Sequence, residues 1–272
     1  MTDASLSTTH LNWERYGQGP DLILLHGWGM NSGVWQHIIE SLSQSFTLHL
    51  VDLPGYGLSH HQGCQSIEDI CECVLRDAPQ KAIWLGWSLG GLVATHIALN
   101  APDRVHQLVT LASSPRFAAQ GKEWRGIAPK VLSNFTVQLT EDFQGTIERF
   151  MALQALGSPS AKQDIKCLKE VVLSKPMPDP QALSLGLKLL AEIDYRAQLP
   201  QLEMPLIRLY GRLDGLVPVS IAHQLDEQLT EQSHIFQSSS HAPFISERAQ
   251  FCELIRSRLS IECPAMEALD HQ

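Results

Sequence analysis

Residues 81–94 read Lys-Ala-Ile-Trp-Leu-Gly-Trp-Ser-Leu-Gly-Gly-Leu-Val-Ala, and no other stretch limits the fold so tightly. Ile83 to Trp87 is a compact apolar run that suits a buried strand. From Leu89 to Asn100 the apolar residues Leu92, Val93, Ile97 and Ala98 recur at helical spacing, and Pro102 ends the segment. Between the two lies Gly86-Trp87-Ser88-Leu89-Gly90, a G-x-S-x-G pattern. A strand that turns directly into a helix places the apex serine in strained backbone geometry. Side chains at the two flanking positions would run into the strand and the helix, and glycine removes both collisions. Five residues of this kind occur by chance in loops; the strand before them and the helix behind them make the pattern informative.

The rest of the chain reads as a frame for that turn. Asp21-Leu22-Ile23-Leu24-Leu25 is a second buried-strand run, ending in His26-Gly27-Trp28-Gly29, and a short polar edge strand over residues 8–16 precedes it. Residues 35–44 have a helical pattern, and Phe46 to Leu53 reads as a strand that closes at the turn-rich Pro54-Gly55-Tyr56-Gly57. A helix is expected around residues 66–78 and a strand from Val105 to Ala112. Further strands are expected from Pro205 to Gly211 and near His234 to Gln237, and a last helix from Glu247 to Leu259. Strands alternating with helices imply an α/β fold, a mostly parallel sheet covered on both faces. From Phe117 to about Pro200 the pattern is helical only. We therefore expect a core from residues 1–116 and 201–272 with a helical insertion, residues 117–200, inside one domain. At 272 residues with 44% hydrophobic content, one large core is affordable.

Several function classes drop out on composition. The net charge of −9 argues against general nucleic-acid binding. No run of about 18 apolar residues is present, and Met1-Thr2-Asp3-Ala4-Ser5 has neither basic nor apolar leader character, so a soluble cytoplasmic protein is expected. The six cysteines, Cys64, Cys71, Cys73, Cys167, Cys252 and Cys263, lack paired metal or redox spacing and read as reduced and structural. No metal or cofactor is implied.

Serine is a poor nucleophile at neutral pH and needs a base, which in turn needs an orienting acid. Asp214, in Gly211-Arg212-Leu213-Asp214-Gly215, and His241, in Ser240-His241-Ala242-Pro243, each follow an expected strand, where a parallel sheet builds its site. The order Ser88, Asp214, His241 is that of the Ser…Asp…His arrangement on such sheets. Asp194 is the rival acid but closes the helical insertion instead of a strand. His49 and His106 lie in expected strands, His96 in a helix, and His60, His61 and His223 in polar stretches; these read as structural. Backbone N–H groups of Leu89 and Trp28 are the natural donors to an oxyanion at Ser88. Packing of the Trp28 indole in the core is compatible with that role.

The segments LLHGWGMNSGVW, VDLPGYGLS, LGWSLGGLVA, LYGRLDGLVP and HAPFIS resemble α/β-hydrolases. In detail, and through ERFMALQALG and KPMPDP in the insertion, the chain resembles the biotin-pathway esterases that act on pimeloyl-[acyl-carrier protein] methyl ester. The resemblance implies a serine carboxylesterase with Ser88, Asp214 and His241 as its triad. It implies substrate contacts at Trp28, Ser88, Leu89 and His241 and along Phe150-Met151-Ala152-Leu153-Gln154. Methylation hides a carboxylate that would be costly to bury during chain elongation, so removing the methyl group ends that phase.

On a helix, Phe143, Ile147, Phe150 and Gln154 share one stripe. Core packing explains Phe143 as well as a substrate contact does, and Phe150 less well; Gln154 is the odd one, suited to a substrate carbonyl. Between Arg116 and Lys175 there are nine basic and six acidic residues, and Lys162, Lys166 and Lys169 line up at i, i+4, i+7. Spacing alone allows a solvated face. The resemblance implies that these lysines, with Arg149, dock an acidic acyl carrier protein, although Gly145 stands where the family carries arginine. A monomer is expected. Other readings are a general short-chain esterase or C–C bond hydrolase of the same fold and, from another class, a non-catalytic carrier-protein binder.

Overall fold

The structure is a computed structural model that describes residues 10–259. Cys263, the rest of the C-terminal tail and the extreme N-terminus lie outside the described residues. Seven strands, β1 (Trp13–Tyr16), β2 (Asp21–Leu25), β3 (Thr47–Val51), β4 (Ala82–Trp87), β5 (Val105–Leu111), β6 (Leu206–Gly211) and β7 (His234–Phe236), form one sheet in the order β1-β3-β2-β4-β5-β6-β7. Only β1 runs antiparallel, at the edge against β3. The apolar strands take the central places because both faces there are covered: Leu22 to Leu25 are wholly buried, with Leu24 opposite Leu50 on one side and Leu85 on the other.

Helices α1 (Gln36–Leu42), α2 (Ile67–Asp77) and α3 (Leu89–Asn100) connect the strands up to β5. The Ser66 side chain and Asp69 cap α2 reciprocally, which fixes its start. Helix α3 is apolar nearly all round and buried from Leu89 to Thr95, consistent with a helix enclosed between the sheet and its neighbours. Between β5 and β6 the chain forms four helices, α4 (Pro129–Glu141), α5 (Phe143–Ala155), α6 (Ala161–Leu173) and α7 (Pro180–Glu192). Then come α8 (Val219–Asp226), α9 (Pro243–Ser246) and α10 (Arg248–Arg258). Helix α8, with His223 in it, has no counterpart in the sequence reading. Eight residues behind Pro218 give too short a periodic signal. The fifth strand ends at Leu111, one residue early, because Ala112 turns to φ +43°.

The four-helix layer sits on the loops that leave the sheet's C-terminal edge, and its α6–α7 end is fastened there. Lys175, only 13% exposed, places Nζ 2.8 Å from Glu14, 2.6 Å from the Ser32 hydroxyl and 3.1 Å from the buried Asp52 carboxylate. Asn31 donates to the Val171 carbonyl, Asp179 N–H to Gly55, and the Tyr56 hydroxyl to Ala182. Burial would raise the Asp52 carboxyl. Nearby His26, the N–H groups of Ser32 and Leu58, and Lys175 outweigh it and hold the group below its ordinary value.

Candidate active site

Ser88 caps α3 at φ 54°, ψ −117°, a conformation that costs a non-glycine residue about 1–3 kcal/mol. The cost follows from the tightness of the turn. A Cβ on Gly86 would stand 2.2 Å from the Gly90 carbonyl oxygen, and one on Gly90 would stand 2.4 Å from that of Leu25, so neither position admits a side chain. The strand and helix that crowd Ser88 are those expected from residues 81–100, and they leave it 2% exposed.

His241 follows β7 and Asp214 follows β6, and both side chains are buried. His241 Nδ1 lies 2.7 Å from Asp214 Oδ2, while Oδ1 of Asp214 accepts the N–H groups of Leu216 and Val217 at 2.8 and 3.0 Å. These bonds fix the carboxylate, and the carboxylate fixes the ring with Nδ1–H as donor. Trp87 donates its indole N–H to the His241 carbonyl at 2.7 Å, and the two rings lie 5.7 Å apart. The other ring nitrogen, Nε2, is buried with no hydrogen-bond partner among the described residues. It is the lone pair available to a hydroxyl; such nucleophile–base contacts are often loose without substrate. Asp194 is committed elsewhere. Two bonds from Arg196 and one from Arg116, at 2.7 to 2.9 Å, hold its carboxyl down at about 2.

The loop after β2 supplies the opposite wall. A Cβ on Gly27 would stand 3.2 Å from the Ser88 Cβ, so the backbone here lies directly against the serine. Neither the Trp28 nor the Leu89 N–H has a backbone acceptor among the described residues, and Leu89 opens its helix, where N–H groups have none within the helix. His26 shapes this loop. Its Nδ1 donates to the Gly27 carbonyl at 2.9 Å and its Nε2 accepts the Leu53 N–H at 3.0 Å, both roles requiring a neutral ring. Burial depresses it to about 4, against the opposing pull of Asp52. The sequence places His26 at the head of the H-G-x-G loop but assigns its side chain no role. A histidine ending a wholly apolar strand was the available signal.

The roof comes from α5 and α7. Trp28 is buried, with its indole N–H on the Leu183 carbonyl at 2.8 Å and its ring 4.6 Å from that of Phe150. Gly186 makes room for it, since a Cβ there would meet the indole at 2.5 Å. Along α5, Ile147, Phe150, Met151 and Gln154 are buried and Phe143 is half-buried, so the expected stripe faces inward. Gln154 accepts the His241 N–H with its main-chain carbonyl at 3.0 Å, while both polar atoms of its buried side-chain amide have no hydrogen-bond partner among the described residues. Leu153 is half-buried and Ala152 is exposed, away from this stripe. A groove of about 600 Å³ runs between α4 and α7, lined by Leu132, Val137, Leu187 and Lys188, but none of Ser88, Asp214 or His241 lines it.

The basic residues lie on the outer side of the same layer. Lys162, Lys166 and Lys169 are exposed on α6, and Arg149 is 46% exposed on α5. Arg149 pairs with Asp142 at 3.1 Å, Lys169 with Glu148 at 2.9 Å and Lys166 with Glu170 at 3.9 Å; Lys162 has no ion pair among the described residues. Gly145 donates its N–H to the same Asp142 at 3.0 Å. No group of three or more potential metal ligands occurs among the described residues, and no described helix is long and apolar enough to cross a membrane.

Residues 20–248 match the α/β-hydrolase fold family. The chain is 60% identical over 250 residues to the pimeloyl-[acyl-carrier protein] methyl ester esterase of Vibrio parahaemolyticus, covering 92% of this chain and 98% of that one. It is 57% identical over 254 residues to the enzyme of the same name from Aliivibrio fischeri, covering 93% and 98%. Among solved structures, an esterase from Exiguobacterium antarcticum superposes with a TM-score of 0.79 at 20% identity, over 91% of this chain and 94% of that one. An enol-lactonase from Burkholderia xenovorans superposes at 0.78 and 16% identity, over 93% and 98%. At such identities the likeness to these two is one of fold.

Proposed function

We propose, because this chain belongs to the α/β-hydrolase family and within it to the pimeloyl-[acyl-carrier protein] methyl ester esterases, that it cleaves the methyl ester of pimeloyl-[acyl-carrier protein] in biotin biosynthesis. It is a carboxylic ester hydrolase. Water enters, methanol leaves, and the free carboxylate stays on the carrier. The observation that carries the mechanism is the buried Asp214–His241 pair, whose Nε2 has no partner among the described residues, together with a serine held at positive φ.

In this reading Ser88 Oγ attacks the ester carbonyl while His241 Nε2 takes its proton. Asp214 keeps the ring in the required tautomer and faces the imidazolium that forms. The N–H groups of Leu89 and Trp28 receive the developing oxyanion. His241 then protonates the departing methoxide, and the same ring activates water to release the acyl group from Ser88. Phe150, Met151 and Leu153 give the acyl chain an apolar wall, and Gln154 offers its unpartnered amide to a polar group of the substrate. Ala152 enters the reading only as part of that stretch.

Helices in residues 117–200 serve as the lid of this site. Arg149, Lys162, Lys166 and Lys169 dock the acidic acyl carrier protein, with Arg149, Lys166 and Lys169 exchanging their present carboxylate partners for its carboxylates. The enzyme works in the cytoplasm as a monomer, without metal, cofactor, nucleic acid or membrane.

The test is turnover of the carrier-bound methyl ester by Ser88→Ala, followed by mass spectrometry of the acyl group. Triad loss costs about 10⁴ to 10⁶ in kcat. A variant within tenfold of wild type contradicts the mechanism, and a wild type that hydrolyses small esters but leaves the carrier-bound ester intact contradicts the substrate.

A further inference from the structure

Ser113 has no part in the reaction as described, yet it grips the residue that does. The backbone of Ser88 is held on both sides, from the last residue of β5 and from the turn just after it: its N–H donates to Leu111 O at 2.9 Å, and its carbonyl accepts the Ser113 hydroxyl at 2.8 Å. Leu111 and Ser113 flank Ala112, which together with Ser88 makes up the pair of non-glycine residues at positive φ among the described residues. An alanine has no local reason to adopt φ +43°; the turn swings residue 113 under the elbow. The fit is close. Ser113 is buried, and a Cβ on Gly91 would stand 2.5 Å from both its Cβ and its Oγ.

The Ser88 carbonyl does not need this hydroxyl to be satisfied, since the N–H groups of Gly91 and Leu92 already reach it at 2.9 and 3.3 Å as α3 begins. What the hydroxyl adds is control of a peptide plane. The carbonyl of Ser88 and the N–H of Leu89 belong to one rigid unit and point in opposite directions, so holding the oxygen from behind aims the N–H forward. A donor on the carbonyl also polarises the N–H across the same unit. We infer that Ser113 is a positioning residue for the oxyanion hole: its hydroxyl orients and polarises the Ser88–Leu89 peptide, whose N–H faces the charge that develops on the substrate. This rests on Ser88 as nucleophile and Leu89 N–H as oxyanion donor.

The experiment compares wild type with Ser113→Ala and Ser113→Cys, each normalised by active-site titration with a fluorophosphonate. Each is assayed on the carrier-bound methyl ester. Binding is measured for a trifluoromethyl ketone, which forms a tetrahedral adduct with the serine, and for an unreactive ether of the same length. Outright loss of an oxyanion donor costs about 10²–10³ in kcat, and a donor merely loosened should cost Ser113→Ala about tenfold to a hundredfold per titrated site. KM and ether affinity should stay within about twofold, trifluoromethyl ketone affinity should fall in step with kcat, and the weak Sγ–H donor of Ser113→Cys should fall between. A Ser113→Ala enzyme with kcat within twofold of wild type overturns the inference. Equal losses on the ether and the ketone also overturn it, since they mark general disorder. If the fluorophosphonate fails to label Ser88 in the wild type, the nucleophile reading falls and takes this one with it; labelling with unchanged kcat removes this one alone.

Discussion

At Ser88 both backbone groups are tied to the end of β5 and the turn that follows it, and at Asp214 two backbone N–H groups hold one carboxylate oxygen. On the outer face of α5 and α6, by contrast, the charged groups hold one another: Arg149 with Asp142, Lys169 with Glu148, Lys166 with Glu170. Backbone bonds of the first kind are buried, short and unaffected by salt. Exposed pairs of the second kind are worth about 0.2–1 kcal/mol each and weaken as ionic strength rises. In the proposed function the chemistry therefore rests on geometry with one solution, whereas recognition of the carrier protein rests on contacts that can be traded. A carrier protein that displaces Asp142, Glu148 or Glu170 gains only the difference between two ion pairs, so such a surface tunes orientation and encounter rate more than affinity.

The contrast is broken most severely at its rigid end. Asp214→Asn keeps the shape of the side chain but permits the wrong ring tautomer at His241, and kcat should drop by about 10⁴ with the fold intact by circular dichroism. Activity within tenfold of wild type would show that the buried pair is not the base and its orienter.

A smaller effect is expected at His26, which is neutral in the folded protein and depressed to about 4 from an ordinary 6.5. Above 6.5 neither state carries its proton; as pH falls from 6.5 towards 4 the unfolded chain takes one up and the folded chain does not, so folded stability is lost across that window. The difference of about 2.5 pH units corresponds to about 3 kcal/mol. In urea unfolding at pH 7 and pH 4, the stability of wild type over His26→Asn should therefore narrow by about that amount on acidification. A gap independent of pH would mean that His26 does not enter the folded state neutral.

The smallest effect belongs to the tradable surface. Reversing Lys162, Lys166 and Lys169 together should lower kcat/KM for the carrier-bound ester by about tenfold at low salt and less at high salt, leaving a small soluble ester unchanged. Equal loss on both substrates would trace the effect to disruption of α6, and no loss on either would return the stripe to a solvated helix face.

What could be read in advance follows the same division. The strand–turn–helix at Ser88, the parallel sheet and the helices between β5 and β6 were legible because hydrophobic period and glycine position are local signals. Placing Asp214 and His241 after strands was enough to bring them within 2.7 Å, since parallel strands end at one edge. Long-range side-chain bonds left no such trace. In the sequence Lys175 is one more positive charge of the insertion, although it is largely buried against Glu14, Ser32 and Asp52. Ala112 reads in the sequence as the end of an ordinary strand, because a positive φ at alanine has no compositional signature, and nothing there marks the Ser113 that follows it. Gln154 stands out for the opposite reason: an amide on an apolar stripe breaks the pattern, and its side chain is buried without a hydrogen-bond partner among the described residues.

Trp28 belongs to both regions at once. Its indole hydrogen-bonds the main chain of α7 and packs at a tilt against Phe150 of α5, while its backbone continues the loop that lies against Ser88. A shift of α7 that preserves the 2.8 Å bond to Leu183 must carry residue 28 with it, and a shift that breaks the bond strands an indole N–H in an apolar pocket. Roof and wall are thus geared together, so that the position of the helices is registered at the serine through one side chain. The fluorescence of that tryptophan would follow the gear as it turns.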